Sequence, residues 1–362
     1  MMQVHGGNLR EISRLYHIDE EAIIDFSSSI NPLGCPSGVR LLLRKGAALL
    51  SSYPDSHCNQ FREALAASLG CAPLHIIAGN GSTELIYLIP RAFKPRRALV
   101  FSPSFSEYER GLREAGCAVQ TIPLQEGDGF RVRAEQAIAL LPRVDMLFLC
   151  NPNNPTGALM EPDKLGALLA AAKKSGVLVV VDEAFVDFAP RHSVAGKAVS
   201  GRTVMVLRSM TKFFGIPGIR LGYLVGPPPL VAQLNRHKEP WTVNALAQKI
   251  GIACAADKDF ADDTRRFVAA ERGLLFSRLG SIPGLQPRPS SANYLLLKIT
   301  GRGLSSTRLY EELARRGILV RDCRSFTGMG NKYIRVAVKL RRDNRLLLAA
   351  LKTVVERHDG KN

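Results

Sequence analysis

From about residue 60 to residue 226, short apolar runs alternate with amphipathic segments, and this alternation restricts the possible folds more than any other sequence feature. Strands that read as continuous apolar runs are buried on both faces, and such alternation places helices on both sides of a parallel sheet. The sequence therefore predicts an α/β domain with a mostly parallel, seven-stranded sheet. The seven predicted strands are HIIAG (75–79), RALVFSP (97–103), CAVQTIPL (117–124), DMLFLCNP (145–152), VLVVVDEAF (177–185), TVMVLRS (203–209) and RLGYLVG (220–226).

The pattern changes after residue 240, where long basic helices precede three short apolar runs and a last amphipathic helix. This arrangement is typical of a smaller α+β domain. The irregular first fifty residues are rich in Gly, Pro and Ser and are expected to join it. We therefore predict an N-terminal segment (1–50), a large domain (51–240) and a small C-terminal domain (241–362).

The formal charge of +17 raises the question of an anionic partner. The basic residues are dispersed in pairs, with no basic tail, zinc-finger spacing or aromatic RNA-binding motif, so a solvated basic surface is favoured over nucleic-acid binding. Seven scattered cysteines without a CxxC pair favour a reducing cytoplasm and argue against a disulfide framework or a zinc site. An apolar run long enough to span a membrane is missing, so we expect no membrane partner.

Lys212 stands in the segment SMTKFFGIPGIR (209–220), between hydroxyl residues and a glycine-containing run that ends at Arg220. Lysine is almost never fully buried without a partner, and its pKa shifts readily when it is. The segment is therefore either a surface turn or the site of a reactive amine.

Polar groups also follow three predicted strands. In AGNGSTE (78–84), the backbone of Gly81, Ser82 and Thr83 opens a helix and can bind an anion or simply cap the helix. Asn154 lies in the stiff turn NPNNPTG (151–157), and Asp182 ends an apolar strand. A carboxylate at such a position is costly unless it meets a cation, and no second ligand stands at metal-binding spacing.

Together these groups match pyridoxal phosphate, because ligands of open α/β sheets bind beyond the carboxyl ends of the strands. A lysine forms a Schiff base with the cofactor aldehyde, and a carboxylate keeps the pyridine nitrogen protonated. The anion-binding groups are Gly81, Ser82, Thr83, Ser209, Thr211 and Arg220. We therefore predict a pyridoxal phosphate site, with Lys212 as its reactive group and no metal.

The order of these motifs resembles the fold-type-I, aspartate-aminotransferase-like enzymes over essentially the whole chain. Within them the sequence is similar to the histidinol-phosphate aminotransferases and, more closely, to the branch that decarboxylates L-threonine O-3-phosphate for cobalamin biosynthesis. The segments that carry this likeness are HGGNLRE (5–11), IDFSSSINPLG (24–34), YPD (53–55), CNPNNPTG (150–157), VDEAFVDF (181–188), LRSMTKFFGIPGIRLGYLV (207–225), PWTVNALA (240–247) and ILVRDC (318–323).

The resemblance implies a role for each matched residue. Lys212 carries the cofactor, Asp182 pairs with the ring nitrogen, Asn154 meets the phenolic oxygen and substrate, and Phe105 stacks on the ring. Tyr53 reaches the cofactor phosphate from the partner chain of a homodimer. The residues implied to bind the substrate's phosphate and carboxylate, or to face the substrate, are His5, Gly6, Ser29, Asn31, Asn154, Arg321 and Arg335.

Two positions depart from the resemblance. Phe185 stands where the aminotransferases usually carry tyrosine, and the decarboxylases also carry phenylalanine there. Ser29 stands where those decarboxylases carry asparagine. The residues alone leave open decarboxylation against transamination and threonine phosphate against serine phosphate. The alternatives are an aminotransferase acting on histidinol phosphate and, from another class, a ligand-sensing regulator that binds nucleic acid with its basic surface.

Overall fold

The computed structural model describes residues 6–301 and 303–359. Its strands are β1 (Ile24–Asp25), β2 (Ile76–Asn80), β3 (Arg97–Ser102), β4 (Ala118–Pro123), β5 (Met146–Cys150), β6 (Leu178–Asp182), β7 (Val204–Ser209), β8 (Leu221–Val225), β9 (Leu285–Pro287), β10 (Tyr294–Ile299), β11 (Ile318–Leu319), β12 (Arg321–Asp322) and β13 (Tyr333–Ala337). Its helices are α1 (Leu9–Tyr16), α2 (Ser37–Lys45), α3 (Asn59–Leu69), α4 (Gly81–Phe93), α5 (Glu107–Glu114), α6 (Ala134–Leu140), α7 (Pro162–Lys174), α8 (Ala195–Ser200), α9 (Met210–Phe213), α10 (Pro228–His237), α11 (Ala245–Ala256), α12 (Lys258–Gly280), α13 (Ser306–Ala314) and α14 (Arg341–Asp359).

The large sheet has seven strands in the order β2-β8-β7-β6-β5-β3-β4, and only β8 runs antiparallel to its neighbours. Every residue of β5, β7 and β8 is buried, as expected for strands that are covered on both faces. Burying each such aliphatic side chain contributes roughly 1.5–3 kcal/mol, so this layer is the main source of cohesion. The predicted α/β class and seven-stranded sheet are confirmed.

Parallel pairing brings the carboxyl ends of the central strands to one edge of the sheet. Cys150 at the end of β5 is in register with Asp182 at the end of β6, and Asp182 is in register with Leu207 on β7. The following α9, which carries Lys212, starts at this edge. The topology therefore gathers the polar ends of three strands around one point.

A second, antiparallel sheet has the order β12-β13-β10-β9 and packs against α12, α13 and α14. Its core is aliphatic and includes Phe26, just after β1, because β1 pairs in parallel with β11 of this region. The N-terminal segment is thus tied to the smaller region by its only described strand, as far as residues 6–50 are concerned.

Two parts of the chain cross the predicted domain boundaries. Val39 on α2 and Ile250 on α11 both belong to the core of the large region. The boundaries near residues 50 and 240 remain predictions. In the part of the chain that the structure covers, no helix combines the length and the apolarity that a membrane crossing needs.

Candidate active site

A cavity of about 330 Å³ opens where the carboxyl ends of β5–β7 face the small region. Most of the residues singled out from the sequence line it, although they come from segments far apart in the chain. The predicted residues on its wall are Gly6, Ser29, Gly81, Ser82, Thr83, Phe105, Asn154, Asp182, Ser209, Thr211, Lys212, Arg220, Arg321 and Arg335.

Lys212 lies in the single turn of α9, with its backbone anchored to a distant segment. Its carbonyl accepts a hydrogen bond of 3.0 Å from the backbone N–H of Asn31. Burial, together with the nearby guanidinium groups of Arg335 and Arg220, lowers the pKa of the Lys212 ammonium to about 8. The amine is therefore neutral, and nucleophilic, in a much larger fraction of molecules near neutral pH than an ordinary lysine.

Asp182 is fully enclosed at the end of β6. One oxygen accepts a hydrogen bond of 2.6 Å from the Tyr108 hydroxyl, and the other accepts one of 2.8 Å from the Ala184 N–H. Burial raises the pKa of this carboxyl, while those hydrogen bonds oppose the shift. No cation of the described residues perturbs it, so the carboxylate meets the cavity with its charge uncompensated.

The turn before α4 is shaped around Arg220. Gly81 has φ of +71°, and a Cβ there would lie 2.6 Å from Nη2 of Arg220. Gly81 N–H donates to the Arg220 carbonyl at 3.0 Å, so this amide is already used. The amides of Ser82 and Thr83, in the first turn of α4, have no intrahelical acceptor and are the better placed candidates for the predicted anion site.

Hydroxyl groups complete this end of the cavity. Oγ of Ser209 and Oγ1 of Thr211 are 2.8 Å apart and both side chains are buried. Amides of a helix N-terminus, two hydroxyls and a guanidinium form a donor set suited to a phosphate group.

Two arginines from the small region also line the cavity. Arg321 on β12 and Arg335 on β13 are register partners and are both buried. Arg335 donates to the side-chain oxygen of Asn154 and, at 2.8 Å, to the carbonyl of Ser27. Burial and the charge of Arg335 lower the pKa of Arg321 to about 10. Two adjacent buried cations favour an anionic ligand beside β12 and β13.

Ser29 has a side chain that is 2% exposed, and its hydroxyl has no hydrogen-bond partner within the described residues. Its carbonyl accepts a hydrogen bond of 2.9 Å from Asn293. Gly6 lies close to the same segment, since a Cβ there would be 2.6 Å from the Ser27 carbonyl oxygen. This wall of the cavity therefore leaves one buried hydroxyl available to a ligand.

Three predicted residues are not on the cavity wall. The Asn31 side chain donates to the Phe213 carbonyl at 2.6 Å and to the Thr264 hydroxyl at 2.9 Å, so it supports the lysine helix and does not face a ligand. Tyr53 is 84% exposed and its ring contacts Trp241, as fits a residue that would act on another chain. His5 lies outside the described residues.

The sequence interpretation missed several lining residues, namely Ser27, Ser28, Ser106, Glu107, Tyr108, Cys150, Ala184, Ser325 and Phe326. The one signal for Tyr108 was its closeness in the chain to Phe105, which lies three residues earlier, just before α5. Phe326 and Ser325 carried no such signal. Both contact Arg321, through a 5.2 Å cation–π contact and a hydrogen bond of 2.6 Å.

Comparison with known proteins agrees with this geometry. The family model for aminotransferase class I and II matches residues 21–351. The chain is 38% identical to the threonine-phosphate decarboxylase of Salmonella typhimurium, with 97% of this chain and 96% of that protein covered. It is 33% identical to the histidinol-phosphate aminotransferase of Methanothermobacter thermautotrophicus, with 98% and 94% covered.

A solved structure extends the likeness to three dimensions. The L-threonine-O-3-phosphate decarboxylase of Porphyromonas gingivalis superposes with a TM-score of 0.81 at 25% identity, covering 91% of this chain and 99% of that one. Sequence and fold thus agree over nearly the full length, and the resemblance inferred from the motifs is confirmed. The chain belongs to the aminotransferase class I and II family.

Proposed function

We propose that this protein binds pyridoxal phosphate at Lys212 and decarboxylates L-threonine O-3-phosphate to (R)-1-amino-2-propanol O-2-phosphate. The observation that carries the proposal is that two separate sets of anion-binding groups line one cavity with Lys212: the donor set that includes Arg220, and the buried pair Arg321 and Arg335 from the small region. The second set of cations suits a substrate that brings anionic groups of its own. The relative at 38% identity is named for this reaction.

The cavity residues fit the cofactor. Ser82, Thr83, Ser209, Thr211 and Arg220 would hold its phosphate, and Gly81 fits because any Cβ would collide with the Arg220 guanidinium. Asp182, enclosed and without a cation among the described residues, would gain one from a protonated ring nitrogen. Phe105 would stack on the ring, and Asn154 would use the amide group that Arg335 leaves free. When bound, pyridoxal phosphate would supply an electron sink for the bonding pair released at the substrate's Cα.

The protein's own part in the reaction is orientation and proton transfer. Arg321 and Arg335 would bind the substrate's phosphate and carboxylate and so hold the Cα–carboxylate bond in the orientation from which it breaks. Such orientation can supply several kcal/mol of the barrier. As this bond breaks and CO₂ leaves, the Lys212 ammonium would give its proton to Cα, and the amine would regain a proton from water. Phe185, which lines the cavity, offers no hydroxyl for a competing proton transfer.

The test is a product assay on the reconstituted enzyme with O-phospho-L-threonine, O-phospho-L-serine and, with 2-oxoglutarate, L-histidinol phosphate. We expect CO₂ and amine in equal amounts from phosphothreonine. Glutamate formed from histidinol phosphate, without CO₂, would establish the aminotransferase alternative. Arg321→Met should abolish turnover, whereas Arg278→Met, a matched change at an exposed position of α12, should not.

We also propose that the enzyme is a homodimer, works in the cytoplasm and serves cobalamin biosynthesis. Tyr53 supports the dimer, because it is 84% exposed beside the half-exposed Trp241 and would reach the cofactor phosphate of a partner. Mixing inactive Lys212→Met chains with inactive Tyr53→Ala chains tests this. If Tyr53 acts across the dimer, each mixed dimer has one intact site and activity returns. If Tyr53 acts within its own chain, the mixture stays inactive.

A further inference from the structure

Tyr108 and Asp182 form a contact that has no part in the proposed reaction steps. The phenol hydroxyl donates to Oδ2 of Asp182 at 2.6 Å, and both side chains are buried. The other carboxylate oxygen is held by the Ala184 N–H. Within residues 6–301 and 303–359, each oxygen of Asp182 thus has one donor, and the remaining lone pairs are available to a ligand.

The Tyr108 ring is fixed by its neighbours. It stacks on Phe148 of β5 with centroids 5.3 Å apart and meets the edge of Phe105 at 5.6 Å. Tyr108 lies in the first turn of α5, and Asp182 ends β6, so the hydrogen bond joins a helix to the strand end that faces the cavity. A side chain packed in this way has few alternative rotamers, and its hydroxyl is a fixed donor.

We propose that Tyr108 is a positioning residue: its hydroxyl orients the Asp182 carboxylate toward the cavity and keeps it ionised, so that it can pair with a protonated ring nitrogen. This inference rests on the proposed cofactor, but the effect on Asp182 exists before any ligand binds. Phe105, just before α5, would link the two functions, since it packs against Tyr108 and lines the cavity.

The electrostatics agree with this role. Burial raises the pKa of Asp182, and the hydrogen bond from Tyr108 is the first influence that lowers it. Burial and the charge of Asp182 raise the pKa of Tyr108 well above its ordinary value, so the phenol keeps its proton and remains the donor. Cys150 and Tyr294 also face the pair, and their raised pKa values keep both neutral at neutral pH. Ionisation of Asp182 therefore depends chiefly on the Tyr108 hydroxyl.

The first arm of the test uses the apoprotein, where no cofactor can confuse the result. The infrared carbonyl band of protonated Asp182 is assigned by difference against Asp182→Asn and followed with pH. Tyr108→Phe keeps the stacked ring and removes the donor, and should raise the titration midpoint by about one to two pH units. Replacing Tyr108 by 3-fluorotyrosine, a stronger donor of nearly the same shape, should lower it.

The matched control is Tyr294→Phe, which removes the hydroxyl of another buried tyrosine, one that donates to the Asn153 carbonyl at 2.8 Å. The control should leave the band in place. A midpoint that moves in neither Tyr108 variant, or moves equally in Tyr294→Phe, overturns the proposal. The 3-fluorotyrosine protein keeps the test valid if Tyr108→Phe does not fold.

The second arm measures the affinity for pyridoxal phosphate by absorbance. Tyr108→Phe should bind about tenfold more weakly, since a carboxylate that retains its proton pairs poorly with a ring cation. Unchanged affinity overturns the proposal even if the infrared band moves. If the wild-type protein binds no pyridoxal phosphate at all, the proposed function itself fails, and that failure is visible before any variant is compared.

Discussion

Asp182 and Glu183 are adjacent in the chain and equally buried, but the fold treats their charges differently. Glu183 contacts Arg208 and accepts hydrogen bonds of 2.6 Å from both Ser193 and the Val194 N–H. Among the described residues, Asp182 accepts hydrogen bonds from a phenol and an amide alone. Burial raises the pKa of both carboxyls, but only at Glu183 does a nearby arginine oppose it. The protein thus compensates the charge of Glu183 with its own arginine and leaves the charge of Asp182 for a ligand to compensate.

The largest expected loss of stability follows removal of the arginine that compensates Glu183. Arg208→Met leaves Glu183 buried without its cation, and breaking a buried ion pair from one side costs about 3–5 kcal/mol. Urea unfolding of the apoprotein should show this loss. The double variant Arg208→Met/Glu183→Gln should recover the part that belongs to Glu183, and the rest belongs to Asp187, which also pairs with Arg208. A loss below about 1 kcal/mol would mean that Arg208 is not what stabilises Glu183.

Asp182→Asn should impair turnover but stabilise the apoprotein, whereas Arg208→Met destabilises it. Turnover of the reconstituted enzyme should fall roughly 10²–10³-fold, as for loss of a preorganised electrostatic group. The apoprotein should become more stable at pH 7, because no buried charge remains. The folded-state pKa of Asp182 lies above its unfolded value, so this gain should vanish below about pH 4, where both states are protonated. A destabilised apoprotein at pH 7 would contradict the comparison.

Ser193→Ala sharpens the comparison at Glu183 without removing a charge. It deletes one hydrogen bond of 2.6 Å to the carboxylate, and hydrogen bonds to charged groups contribute about 1.5–3 kcal/mol. We expect the low end of that range, since Val194 and Arg208 still contact Glu183. Thermal unfolding checks the size, and Ser200→Ala, at an exposed position of α8, is the matched control. Equal losses in both variants would remove the distinction.

Lys212 extends the comparison to a buried cation, and the change in stability that we expect from it is the smallest. Its folded-state pKa is lowered to about 8 from the ordinary value of 10.5, so the unfolded chain binds more proton between these values and the apoprotein gains stability as pH rises. Relative to Lys212→Met, we expect a gain of about 1 kcal/mol between pH 7.5 and 9. A flat difference over that interval would mean that the amine is not perturbed.

Much of the fold could be predicted because its signals are local. Continuous apolar runs specify buried strands, so all seven strands of the large sheet were predictable. The antiparallel direction of β8 was not, because its apolar run does not encode direction. Helix α10 begins with Pro228 and Pro229, which suggest a turn although proline suits the first helical positions. Residues 241–256 join the large core through contacts with α2 and α3 that no local pattern specifies.

The residues of the candidate site also fall into two groups, those that the local sequence marks and those that only tertiary contacts bring together. Lys212, Asp182 and Asn154 stand at strand ends or in sharp turns, where the sequence itself marks them. Asn31 looked like a ligand residue but supports Phe213 and Thr264, a distant contact that spacing does not encode. Phe326 and Ser325 enter the cavity only because β12 and β13 pair. Residues that act through tertiary contacts were therefore beyond prediction.

The central claim is that the Lys212 amine carries pyridoxal phosphate, and borohydride reduction tests it most directly. The protein is incubated with pyridoxal phosphate, reduced, digested and mapped by mass spectrometry, with Lys212→Met treated in parallel. We predict one pyridoxyl group per chain, on Lys212, and none on the variant. A wild-type chain that stays unmodified, or is modified mainly on other lysines, would contradict the account.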